Sequence, residues 1–239
     1  MVSKMTKNLW PTIKSEAEKA KKSDPEIQSL VAPVLQSETL GLALAQIIGA
    51  RLFQDAAERQ KFTSLFLSFW TADAEAVLND DLRSILDHDP AVKNILTPVL
   101  FFKGFHALQT YRLAHYLWTG GRQLIAEWLQ ARSSVVFGVD IHPAAKIGRG
   151  IMMDHATGIV IGETATVGDN VLFWHNVTLG GKSSANTDRH PKIGNHVILG
   201  AGALLLGNIK IGDGAKIGAG AIVVKDVAPG ATVISAKSV

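Results

Sequence analysis

Residues 193–223 read IGNHVILGAGALLLGNIKIGDGAKIGAGAIV, and an aliphatic side chain opens every block of six: Ile193, Leu199, Leu205, Ile211, Ile217 and Val223. A helical stripe recurs every 3.6 residues and a half-buried strand every two, whereas six fits a short strand plus a corner, the unit of a parallel β-helix. Stepping by six from Val135 gives Ile141, Ile147, Met153, Ile159, Ala165, Val171 and Val177, so the pattern extends far upstream. The register then breaks once. The segment between Val177 and Ile193 holds ten residues beyond the repeat.

Three units close one triangular coil, so roughly thirteen units from Ile141 to Val223 make about four coils with the aliphatic side chains stacked inside. Glycine follows the aliphatic residue at Gly148, Gly194, Gly200, Gly212 and Gly218, which predicts corners that need permissive backbone angles. None of these glycines belongs to a phosphate loop. The nearest string, GNIKIGDG, lacks the lysine and hydroxyl that such a loop requires.

Before about Arg132 glycine is sparse and apolar residues recur at three- and four-residue spacing, with breaks at Ser23-Asp24-Pro25, Asp87-His88-Asp89-Pro90 and Gly120-Gly121. The reading is an α-helical domain over residues 1–132 and a β-helix over 133–239, with an inserted loop at about 180–192. The stretch 101–118 is expected to be an amphipathic helix presenting Phe102, Phe105, Leu108, Tyr111 and His115 on one face. His106 and His115 are read as packing or surface residues.

The chain has 239 residues, 47% of them hydrophobic, enough for a core without covalent staples. It has no cysteine, which excludes disulfides, thiolate metal sites and cysteine nucleophiles and fits a reducing compartment, so a cytoplasmic location is expected. The N-terminal residues lack the apolar stretch of a secretory signal, and no run approaches the ~18 apolar residues of a membrane span. The net charge of +3 comes from basic residues interleaved with acids. Neither nucleic acid nor a membrane is an expected partner.

Several longer strings occur in order: DPAV (89–92), KGFHALQTYR (103–112), VDIHPAAKIGRG (139–150), DHATGIVIGET (154–164), VTLGG (177–181) and DRHPKI (188–193). Together they resemble the serine acetyltransferases, within the left-handed β-helix acyltransferases. The resemblance implies a coil of the hand opposite to the usual crossover rule, assembly as a homotrimer or a dimer of trimers, and acetyl-CoA as co-substrate with no metal. It also implies L-serine as acceptor and L-cysteine as feedback inhibitor.

The same resemblance implies the site. His155, near a corner, would be the general base for the serine hydroxyl, and Asp140 would accept a hydrogen bond from its imidazole. Asp89 and Asp154 would hold the ammonium of serine, and Arg189 and His190 its carboxylate. Gly181, Ala201 and Ala219 would line the pantetheine groove, with Lys216 near a phosphate. The loop GGKSSANTDRH departs from the family form, which has threonine after the glycine pair. Here Lys182 takes that place, either pairing with a coenzyme phosphate or solvated.

Other readings stay open on the sequence. A homoserine or other amino-acid-alcohol acetyltransferase differs by little in its acceptor pocket. A non-catalytic assembly protein would share the fold, as would a γ-type carbonic anhydrase drawing zinc ligands from His142, His155, His175, His190 and His196. The chain closes on VISAKSV without the terminal isoleucine with which the family docks into O-acetylserine sulfhydrylase, so no such complex is inferred.

Overall fold

A computed structural model describes residues 8–183 and 187–235. The last four residues, on which the reading of the C-terminus rests, and Ser184–Asn186 of the loop lie outside them. The helical part comprises α1 (Trp10–Ser23), α2 (Gln28–Gln36), α3 (Leu40–Leu52), α4 (Ala56–Phe69), α5 (Ala72–His88), α6 (Leu96–Phe101), α7 (Lys103–Thr119) and α8 (Gln123–Phe137). Side-chain oxygens of Thr39, Asp55 and Thr71 cap α3, α4 and α5 by accepting from a backbone N–H three residues on. Helix α8 stops where Gly138 turns left-handed at φ 67°. It therefore runs past Arg132, and Val135, counted above as a repeat position, sits on this helix largely exposed.

The chain then winds into a parallel β-solenoid of about five turns. The first coil carries β1 (Val139–Ile141), β2 (Lys146–Ile147) and β3 (Met152–Met153), and the second β4 (Ile159–Ile161), β5 (Thr166–Val167) and β6 (Leu172–Phe173). The third carries β7 (Thr178–Gly180), β8 (Lys192–Ile193) and β9 (Ile198–Leu199), and the fourth β10 (Leu204–Leu206), β11 (Lys210–Ile211) and β12 (Lys216–Ile217). Strands β13 (Ile222–Val223) and β14 (Thr232–Val233) belong to the fifth. Stacking gives three parallel faces: β1-β4-β7-β10-β13, then β2-β5-β8-β11, then β3-β6-β9-β12-β14.

The register resolves the break in the repeat. Regular coils advance 18 residues, as in Lys192 over Lys210, but Val139 pairs with Ile159, 20 residues on, and Thr166 with Lys192, 26 on. The loop therefore inserts eight residues, and two more enter at the corner Asp154–Gly158. Together these are the ten residues in excess of the repeat. Counting by six slides at that corner from one inward position to another two residues away, unnoticed because both point inward: Val171 and Phe173, like Val197 and Leu199, are all buried.

The repeat glycines have a different cause from the one expected. Gly200 has an ordinary backbone angle, but a Cβ on it would lie 2.7 Å from the Ala219 nitrogen of the next coil, so close stacking excludes a side chain. The left-handed residue of that corner is Gly202, at φ 70°.

Helix α7 lies against the N-terminal end of the solenoid. It is buried nearly all round rather than on one stripe, with every residue from Gly104 to Tyr111 inaccessible. The Tyr111 hydroxyl donates to the Ala145 carbonyl at 2.5 Å, His115 Nδ1 to the Pro143 carbonyl at 2.7 Å and Arg112 Nη2 to the Gly148 carbonyl at 2.9 Å. Arg112 also forks onto the fully buried Asp81 of α5, from Nε at 3.0 Å and Nη2 at 2.8 Å. Asp81 further accepts from Gln109 Nε2 at 3.1 Å and from the Ile151 N–H at 2.9 Å. Burial raises its pKa against the opposing pull of Arg112. One carboxylate thus joins two helices to the first coil.

His106 is buried too, with Nε2 donating to the Val99 carbonyl at 2.8 Å and Nδ1 accepting from Arg51 at 2.9 Å. Burial, against the Val99 bond, lowers its pKa from 6.5 to about 4. The unfolded chain therefore takes up a proton first as pH falls. His106 leaves stability intact above pH ~6.5 and removes about 3 kcal/mol by pH ~4. In urea unfolding, His106→Gln is expected to lose stability less steeply than wild type over that window, and parallel curves would refute the assignment.

Candidate active site

Two edges of the prism gather most of the expected site residues, one on each side of the first face. On the edge leading into that face, the corner Asp154–Gly158 follows β3. Its two extra residues are His155 and Ala156, in left-handed conformations at φ 55° and 58°, angles that disfavour a side-chain-bearing residue. The bulge is held by α7: a Cβ on Gly104 would lie 2.2 Å from the Met153 carbonyl oxygen, and Lys103 Nζ donates to Thr157 Oγ1. The His155 side chain projects outward, 73% exposed, with Nε2 3.6 Å from Asp154 Oδ2.

Above His155 the same corner recurs coil by coil. Asn176 N–H donates to the Thr157 carbonyl at 2.7 Å, Gly202 to that of His175 at 2.9 Å and Gly220 to that of Ala201 at 2.8 Å. Thr157, His175, Ala201 and Ala219 therefore form a column, and the bulge of two extra residues sets the His155 ring beside His175 at its foot, so bulk falls away above two imidazoles. The two rings meet edge to face, centroids 6.1 Å apart, and His175 Nδ1 is buried without a partner. Above the two imidazoles the column offers an extended ligand a surface free of bulky side chains.

The opposite edge carries the inserted loop. Arg189 Nη2 donates to Glu163 Oε2 at 2.7 Å, which fixes the guanidinium against the corner after β4. Thr164 Oγ1 accepts the N–H of both Arg189 and His190 at 3.1 Å and lies 2.8 Å from His190 Nδ1. With its lone pairs so occupied, the hydroxyl donates to Nδ1. His190 is then a neutral ring carrying its proton on Nε2, consistent with the lowering of its pKa by burial and by Arg189. Nε2 fills the space where a Cβ on Gly162 would stand, 2.0 Å away, and Gly181 closes over Arg189 with a Cβ position 3.3 Å from Cγ.

Of the expected site residues, the structure groups Asp154 with His155, Arg189 with His190 and Gly181, and Ala201 with Ala219. Asp89 ends α5, which packs against β3, and its Oδ1 accepts the Ala91 N–H at 2.9 Å. Lys216 lies exposed on β12 of the third face. Asp140 points outward from β1 and accepts from Gln130 Nε2 at 2.7 Å. Among the described residues, Asp140 and His155 share no hydrogen bond within one chain, and no three His, Asp or Glu side chains converge as a metal site.

Residues 9–110 match the family model "Serine acetyltransferase, N-terminal", and residues 190–225 match that of the bacterial transferase hexapeptide. The serine acetyltransferase of Salmonella typhimurium is 46% identical over 227 residues, 94% of this chain and 83% of that protein. The chain belongs to the serine acetyltransferase family. Among solved structures, the Neisseria gonorrhoeae serine acetyltransferase in complex with serine superposes with a TM-score of 0.92 at 44% identity, over 99% of this chain and 98% of that one. The Brucella abortus serine acetyltransferase in complex with coenzyme A gives 0.92 at 44% identity, over 97% and 94%.

For a serine acetyltransferase, the sequence reading missed Glu163, Thr164 and Gly104, which hold expected site residues in place, and placed His175 only among candidate zinc ligands. Glu163 and Thr164 stand in the quoted string DHATGIVIGET, but their part is to hold a loop that returns 25 residues later. No local pattern announces such a contact. No described helix is long and apolar enough to cross a membrane.

Proposed function

We propose that this member of the family transfers acetyl from acetyl-CoA to the L-serine hydroxyl, in a site completed by two copies of the chain. The observation that carries the proposal is the exposed His155 at the foot of a column of small residues, facing outward from a strained corner. The base edge and the Arg189 edge flank β4, about five residues or roughly 16 Å apart. One serine cannot span that distance. A threefold arrangement brings the His155 edge of one copy against the Arg189 edge of the next and gives Asp140 a partner imidazole across the interface. A dimer of such trimers through the helical parts is the larger assembly proposed.

In that groove Arg189 grips the serine carboxylate with its fork and His190 donates from Nε2, while Asp89 and Asp154 balance the ammonium. His155 takes the hydroxyl proton as the oxygen attacks the thioester carbonyl. The carbon–sulfur bond breaks, and the imidazolium returns the proton to the departing thiolate. No covalent enzyme intermediate is required. His175, one coil above, stands beside the thioester carbonyl as it gains negative charge. L-Cysteine retains every contact of the ammonium and carboxylate and places a thiol at His155, so it inhibits by occupying the serine site. The cysteine-free composition accords with work in the cytoplasm.

Initial rates of coenzyme A release with serine and with homoserine, repeated at fixed cysteine concentrations, test this reading. Serine is expected to be preferred by roughly 10- to 200-fold, with cysteine raising its apparent KM. Equal rates with homoserine, or a serine KM indifferent to excess cysteine, would overturn it. Light scattering on the same sample is expected to report three or six chains, and a fully active monomer would refute the shared site.

A further inference from the structure

Parallel strands stack about 4.8 Å apart, so Ala219, three coils above His155, lies roughly 14 Å up the column. The pantetheine arm runs about twelve bonds from sulfur to the diphosphate, equivalent to four peptide units and about 14 Å when extended. A thioester at His155 therefore places the diphosphate level with the fourth and fifth coils.

At that level the Arg189 edge carries cations. Lys182 leaves the third coil and climbs, its stem so close over Gly207 that a Cβ there would be 3.1 Å from Lys182 Cδ. Its Nζ donates to the Val224 carbonyl of the fifth coil at 3.3 Å. The next residue is Lys225, also exposed. The adjacent carboxylate, Asp226, already accepts the Lys210 N–H at 2.8 Å through Oδ1. Lys182 thus has one long hydrogen bond to a neutral acceptor, the carbonyl of the residue that precedes a second exposed lysine, an arrangement that an anion would complete.

We propose that Lys182 and Lys225 form a cationic clamp for the coenzyme A diphosphate, bound between this edge and the His155 edge of a neighbouring copy. The proposal rests on the donor and assembly given under Proposed function. Lys182, standing where the family carries threonine, then supplies through its long side chain a charge that threonine cannot. Its packed stem limits the freedom lost on binding.

Calorimetric titration of the intact protein with coenzyme A and with pantetheine, for wild type, Lys182→Thr, Lys225→Ala and the double variant, tests the clamp. Each single substitution is expected to weaken coenzyme A roughly threefold to tenfold, more at low ionic strength, and to leave pantetheine unchanged. Unchanged coenzyme A affinity, or equal weakening of both ligands, would overturn it, the latter marking Lys182 as a mere anchor of its loop. The titration needs no turnover. If wild type binds coenzyme A with this lysine dependence yet acetylates no serine, the acetyl-transfer reading falls and the clamp stands.

Discussion

Replacing His155 by alanine is expected to lower kcat by about 10²- to 10⁴-fold while coenzyme A binding stays close to wild type. The serine hydroxyl is neutral at pH 7, so without a base the attacking oxygen carries its proton into the transition state. His175 is not placed to substitute, because it lies one coil further up with its ring centroid 6.1 Å from that of His155. The coenzyme column is unaltered by the substitution, since Ala201 and Ala219 belong to separate coils with their own hydrogen bonds. Steady-state rates beside calorimetry of coenzyme A make the measurement. Retention of a tenth of wild-type kcat would remove His155 from the role.

The largest loss of stability is expected at Asp81. Asp81→Ala leaves Arg112 buried with no carboxylate and frees the Ile151 N–H, Gln109 and the Arg112 fork together, a change that costs about 3–5 kcal/mol where one member of a buried pair is removed. Against a typical total of about 5–15 kcal/mol this decides whether the domain folds at growth temperature. The site should suffer with it, because Ile151 lies three residues before Asp154 on the coil that ends in the His155 corner. Urea unfolding followed by far-UV circular dichroism measures the loss. Replacing the pair together, as Asp81→Leu with Arg112→Met, is expected to restore part of it. A single Asp81→Ala costing under 1 kcal/mol would show that the Asp81 ion pair is not where the helices and solenoid are joined.

What the sequence settled by itself was set by local periodicity and by strings of residues that act on neighbours. A six-residue aliphatic repeat has few physical solutions, so a triangular parallel coil follows from counting, and the change in glycine content places the transition from helices to strands within a few residues. The strings around His155 and Arg189 likewise supply, by resemblance, the base and the carboxylate grip of the proposed reaction. Tertiary structure decided the rest, because the missing information lies in contacts between residues distant along the chain. The glycine after each aliphatic residue answers to the backbone of the next coil, some 18 residues later, and not to its own φ. The ten-residue break divides between a loop and a two-residue bulge at His155, which counting by six concealed because neighbouring inward positions are interchangeable to the eye. The tautomer of His190 rests on Thr164, 26 residues earlier, and the junction of the two halves on Asp81, 70 residues before Ile151. Asp140 and His155, close in sequence, share no hydrogen bond within one chain, because a strand and its corner carry them to different parts of the prism.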